Sequence, residues 1–169
     1  QAQSTGFSPN NFGYHVKSGA WIHEERSIYR LRDYPIYSKG DLAKIWLWSR
    51  NRKEQPQAVF SHETALSLFE LTDYIPKKIH ITVPPGFRKG TDIPVNVVIH
   101  KVRNSNSKTR KIDFLPVSDP LQAISDVCVE GTQSITELRS AIEQALKRGL
   151  ITIQDLKSLE LKSPEIQDL

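Results

Sequence analysis

With 169 residues, 38% of them apolar and 25% charged, the chain is long enough to bury a sizeable core and too apolar for a disordered segment. No apolar run approaches the ~18–20 residues of a membrane span, no N-terminal leader pattern is visible, and the single cysteine, Cys128, has no partner for an internal disulfide, so a reducing, cytoplasmic setting is expected. The net charge of +4 is uneven: residues 1–32 hold four basic against two acidic side chains, residues 33–118 fourteen against eight, and residues 119–169 five against nine, which suits an anionic partner for the first two thirds.

The chain opens on Gln1 and contains no methionine, so an N-terminal segment is expected to have been removed. In "GFSPNNFGYHVKSGAWIHEERSIYRL", Ser8 is placed to N-cap a helix, Pro9 suits its first position and Gly19 its stop, predicting a helix over about 9–18. Phe7 and Phe12 have the spacing of a hydrophobic staple, and Phe12 and Val16 would face a core. Asn10, Asn11, Tyr14, His15 and Lys17 would face outward. "AWIHEERSIYRL" then reads as two strands around a turn near Glu25-Arg26, with Trp21, Ile28 and Leu31 as apolar anchors. Helix, glycine and ribbon make the back half of a winged helix-turn-helix. Its front half is expected to be truncated, with only Gln1-Ala2-Gln3 left before the turn Ser4-Thr5-Gly6.

"DYP" at 33–35 marks a boundary. Asp41 can cap a helix reaching about Arg50, with Leu42, Ile45, Trp46 and Trp48 as its apolar surface. "AVF" reads as a short buried strand and "SHETALSLFEL" as a helix with Ala65, Leu68, Phe69 and Leu71 at helical spacing. "KKIHITVPP" alternates Ile79, Ile81 and Val83 on one face, and "IPVNVVIHKV" alternates Val95, Val97 and Ile99. Residues 101–111 carry Lys101, Arg103, Lys108, Arg110 and Lys111 with no acid between them, around a loop tip at 104–107. This is a candidate basic surface, though a solvated loop is the commoner meaning of such a run. "KIDFLPV" is expected as a third strand. After it come a helix capped by Ser118 or Asp119 with Pro120 first, and a helix over "SITELRSAIEQALKRG" with a Ser134/Glu137 capping box and an Ile135, Leu138, Ile142, Ala145, Leu146 stripe. A short helix at "ITIQDLKSLEL" and a tail end the chain.

His62-Glu63 is the one pair that invites chemistry. A His-Glu-x-x-His zinc motif fails because Thr64, Ala65 and Leu66 follow. His80 and His100 alternate to the strand face opposite the isoleucines, so a site from His62, His80 and His100 is conceivable, but no spacing requires it. Ser61 is expected to N-cap the helix, Thr64 or Glu63 to complete the cap, and His62 to bond at the strand–helix corner. Cys128 lies on an apolar helix face, and no nucleophile elbow or phosphate-cradling glycine loop exists. No enzymatic activity, catalytic residue, metal or cofactor is therefore expected. On the first helix, asparagines suit adenine edges, and Lys17, Tyr14, Ser8 and His15 suit phosphates. Glu24 and Glu25 at the ribbon would repel them.

The blocks "FGYHVKSGAWIHEERSIYRLRDYP", "AVFSHETALSLFELTDYIPKKIHITVPP" and "SDPLQAISDV…AIEQALKRGLIT", in that order, resemble the AbiEi-type antitoxins, the antitoxin and transcriptional-regulator half of abortive-infection (type IV) toxin–antitoxin systems. The resemblance spans about residues 2–157. It implies an α+β chain with a partial winged helix-turn-helix DNA-binding domain at 1–35, a mixed α/β antitoxin domain with a small sheet and C-terminal helices at 36–160, and a tail at 161–169. It implies repression of its own operon by binding inverted repeats in promoter DNA, and neutralisation, direct or indirect, of a nucleotidyltransferase-like toxin. DNA contacts would fall on Ser8, Asn10, Asn11, Tyr14, His15, Lys17 and Arg26. Position 27 is Ser where the family often carries glycine, and Ser61, His62, Glu63 and Thr64 would be a structural signature. The alternatives are a DNA-binding regulator without a toxin partner and, less favoured, a metal-dependent enzyme using His62 and Glu63.

Overall fold

The computed structural model describes residues 2, 5–25, 27–33, 37–102 and 108–160, the side chains of 25, 159 and 160 excepted. Arg26, Arg103, two residues of the 33–35 boundary, the 104–107 loop tip and the 161–169 tail lie outside them. The chain is mixed α+β and divides into two compact units, residues 1–48 and 49–169. Among the described residues, no helix is long and apolar enough to cross a membrane.

In the first unit a 3-10 turn, Pro9–Asn11, runs into helix α1, Phe12–Lys17. Pro9 sets the entry, and Gly19, at φ +77, takes the left-handed stop that a side chain would resist. Strands β1 (Trp21–Glu25) and β2 (Ile28–Leu31) form an antiparallel ribbon, and Ser27 adopts φ +63 in its turn. A serine thus holds a backbone conformation that favours glycine. Trp21 and Ile28 are buried as expected, but Leu31 is half exposed, because it pairs with Trp21 at the open end of the ribbon. Helix α2, Gly40–Trp48, starts one residue before Asp41, which sits in its first turn and pairs with Lys44 instead of capping. The first compact unit runs to Trp48, and within it Lys44 of α2 holds Glu24 of β1.

The second unit is built on a five-stranded sheet ordered β5-β4-β3-β7-β6, from β3 (Val59–Phe60), β4 (Ile79–Val83), β5 (Val97–Lys101), β6 (Thr109–Ile112) and β7 (Leu115–Ser118). β3 is antiparallel to β4 and parallel to β7, β4 is parallel to β5, and β6 is antiparallel to β7. Phe60 pairs with Ile81 on one side and Val117 on the other, all fully buried, so the shortest strand carries the centre of the core. "KIDFLPV" is not one strand but the turn of a hairpin: Asp113 takes φ +56 and folds β6 back on β7. Val95 does not face inward; it is fully exposed, because a turn closed by Val97 N–H donating to Pro94 delays the strand until Val97.

Helix α3, His62–Leu68, packs on α4, Pro120–Glu130, and on β4 and β7. Asp119 caps α4 by accepting from the Leu121 N–H, with Pro120 at the first position. Helix α5, Ile135–Lys147, has both halves of the Ser134/Glu137 capping box and stops at Gly149, φ +65. Its buried stripe is Leu138, Ala141 and Ala145, while Ile135 in the first turn is exposed. Helix α6, Ile153–Glu160, follows, its start fixed by the Thr152 hydroxyl accepting from the Asp155 N–H.

Candidate functional site

Two places concentrate the candidate residues. In the first unit, helix α1 is held by rings. Trp21 stacks on His15 at 4.8 Å and meets Phe7 at 5.1 Å, Phe12 at 5.2 Å and Tyr29 at 5.8 Å between centroids. This cluster decides which way the helix faces: Ser8, Asn10, Asn11, Tyr14 and Lys17 are all exposed, Tyr14 by 70%. His15 departs from expectation. Its ring lies flat on the indole, at 20°, because an imidazole gains more from that apolar plane than from water. Glu24, expected to repel a phosphate backbone, is instead held by Arg30 Nε at 2.8 Å and Lys44 Nζ at 3.1 Å. The hydrogen bonds from Arg30 and then Lys44 hold its carboxyl below the ordinary range.

Of the basic run in the second unit, Lys101, Lys108 and Lys111 are exposed. Arg110 is committed to the fold: its Nε donates to Asp119 at 2.8 Å and its terminal nitrogen to the Leu150 carbonyl at 2.7 Å.

The second place is a polar cluster in which α3, β4, β5 and α4 converge. Parallel pairing sets His80 opposite Val98 and Thr82 opposite His100, so the two imidazoles stand as diagonal neighbours on one sheet face. His80 Nδ1 lies 3.1 Å from His100 Nε2. His62, first residue of α3, stacks on His100 at 3.6 Å between centroids and 17°. One nitrogen from each of the three rings falls within 4.8 Å of the others. From α4, Glu130 brings a carboxylate to 3.2 Å from His100 Nδ1, 3.6 Å from His62 Nε2 and 4.0 Å from His80 Nδ1. Asp126, one turn earlier, lies 3.9 Å from His62 Nδ1. Glu63, which the sequence offered as the acid beside His62, is not among these partners.

Ser61 occupies the N-cap position of α3 but makes no capping hydrogen bond. Its hydroxyl meets His62 Nδ1 at 2.9 Å and accepts from the Thr82 hydroxyl at 2.8 Å. Thr64 does not complete a cap either; its hydroxyl accepts from the His80 N–H at 2.8 Å. The Ser-His-Glu-Thr block is therefore buried, with the hydroxyls of Ser61 and Thr64 bonded to the cluster instead of the helix end. His62 itself holds φ +52, a left-handed conformation costing about 1 kcal/mol for a side chain with a Cβ.

Burial dominates the electrostatics. It drives His62 down to about 3, helped by the neighbouring His100 and His80 charges. Burial also lowers His100, against the pull of Glu130. Asp126 is raised to about 6, again by burial, with the Gln122 hydrogen bond opposing. His62 and His100 line a groove of about 390 Å³ together with Thr82, Lys101, Gln122 and Asp126. Strand alternation placed His80 and His100 on a common side. Asp126 and Glu130 were missed, although their i,i+4 spacing beside the inward Ile124 and Val127 was the available signal.

No known protein-family profile matches the chain, and no curated protein matches it.

Proposed function

We propose that the protein is the antitoxin and autoregulator of an abortive-infection toxin–antitoxin pair, contacting promoter DNA through its first unit and counteracting a nucleotidyltransferase-like toxin through its second. The observation that carries the DNA half is the ring-fixed helix α1. Together with the 3-10 turn before it, which holds Asn10 and Asn11 and follows Ser8, it presents these residues, Tyr14 and Lys17 to solvent and passes through Gly19 directly into an antiparallel ribbon. Such a helix suits a major groove, with its asparagines at adenine edges and Tyr14 and Lys17 at phosphates. His15 serves from behind, as packing that sets the helix. The bonding of Glu24 to Arg30 and Lys44 removes one like-charge obstacle from the ribbon. The toxin half rests on the resemblance of the Ser61–Leu71 and Ile79–Pro85 blocks to the antitoxins, and the mixed α+β second unit is compatible with it. No catalytic step is assigned to either unit.

The test is co-expression of the full-length protein with the nucleotidyltransferase-like toxin encoded beside it. Restored growth is expected. Persistent arrest with soluble, folded protein present would reject the antitoxin role and leave at most a DNA-binding regulator.

A further inference from the structure

We propose that His62, His80 and His100 form a three-histidine site for a divalent transition metal, zinc in the first instance, with the Glu130 carboxylate orienting His100 from its other ring nitrogen. The inference is independent of the antitoxin reading. It starts from spacing. Ligand atoms on a tetrahedral zinc with bonds of about 2.0–2.1 Å stand about 3.4 Å apart. His80 Nδ1 and His100 Nε2 are already 3.1 Å apart, and one nitrogen from each of the three rings lies within 4.8 Å of the others, while the other nitrogen of His100, Nδ1, meets Glu130 at 3.2 Å.

Ligand chemistry agrees. Three imidazoles suit zinc better than calcium or magnesium, which take oxygen sets. His80 Nδ1 and His100 Nε2 share an N–H···N hydrogen bond at 3.1 Å, and a metal would take the place of that proton between the two nitrogens.

The surroundings supply the outer support that such ligands need. Ser61 Oγ holds His62 Nδ1 and is itself held by Thr82, which leaves His62 Nε2 directed to Glu130. Thr64 fixes the backbone of His80 through its N–H. The left-handed backbone of His62 belongs to the same arrangement, since it sets where the ring leaves the strand–helix corner. One adjustment is required. His62 and His100 lie face to face, and a metal in the plane of both needs one ring to turn until the lone pairs converge. A bound ion would then cross-link two neighbouring strands and the start of α3.

The experiment titrates the chelator-treated full-length protein with Co²⁺ and then Zn²⁺. Expected are one equivalent per chain, the intense visible absorption of four-coordinate cobalt, and its loss on zinc displacement. His80→Ala and His100→Ala weaken binding by more than about 100-fold and Glu130→Gln by about 10-fold, while His23→Ala, in the ribbon, binds as the parent does. Circular dichroism establishes that each variant folds, and partly exposed Glu130 provides the test should the histidine variants unfold. No saturable binding, a weak six-coordinate cobalt spectrum, or Glu130→Gln binding as tightly as the parent would each overturn the site.

Discussion

Ser27 in the ribbon turn and His62 at the strand–helix corner both hold left-handed backbone, at φ +63 and +52, and each pays about 1 kcal/mol for it. Ser27 is exposed at the edge of a unit organised by aromatic rings. His62 is buried, and its ring joins two other histidines and two acids. The five histidines of the chain divide the same way. His15 and His23 lie against aromatic rings, as flat apolar surfaces, whereas His62, His80 and His100 meet one another and a carboxylate. Residue type alone does not decide the role. The neighbour does: an aromatic plane makes a histidine packing material, and a second ring nitrogen with an acid makes it a potential ligand.

The strongest way to break this comparison is to remove each unit's central ring. Trp21→Ala and Phe60→Ala should each cost about 3–5 kcal/mol, with hydrogen exchange speeding up in residues 1–48 for the first and 49–160 for the second. A single melting event that takes both regions together would dissolve the distinction. Next in size is His62→Gly. It relieves the backbone but deletes the buried ring and its Ser61 bond, so chemical denaturation should show a loss of about 2 kcal/mol. Ser27→Gly should do the reverse and raise stability by up to about 1 kcal/mol, because it relieves the left-handed backbone at an exposed position. Equal signs for the two glycine substitutions would mean that His62 is held by its turn and not by its cluster.

The smallest effect concerns Glu24. Its folded pKa lies below the ordinary 4.5, so the pairing with Arg30 and Lys44 contributes fully above that pH and is lost as pH falls through the lower folded value. For partly exposed partners this amounts to less than about 1 kcal/mol. Acid titration of the ribbon signals should show the loss, and Glu24→Gln should flatten it.

The sequence was most legible where structure is local. The Ser134/Glu137 box and Gly149 define α5 within one contiguous stretch, and Pro9 and Gly19 bracket the first helix. It misled where a turn used an unexpected residue: Asp113 breaks "KIDFLPV" without glycine, and the Pro94 turn withholds Val95 from the strand. Ser61 reads as an N-cap because nothing nearby in sequence announces Thr82, its actual partner. The histidine cluster was least legible. Its members sit at 62, 80, 100 and 130, and only the β4–β5 register and the packing of α3 on α4 bring them together.

The most direct measurement of the functional account is fluorescence anisotropy of the full-length protein on its own upstream DNA and on a shuffled duplex, across a salt series. The account predicts preference for an inverted repeat in the upstream DNA, with affinity falling steeply as salt rises. It further predicts that Asn10→Ala with Asn11→Ala removes the preference but keeps the salt slope, while Lys17→Ala weakens both duplexes alike. Equal binding to the two duplexes by the unaltered protein, or a preference that survives both asparagine substitutions, would contradict it.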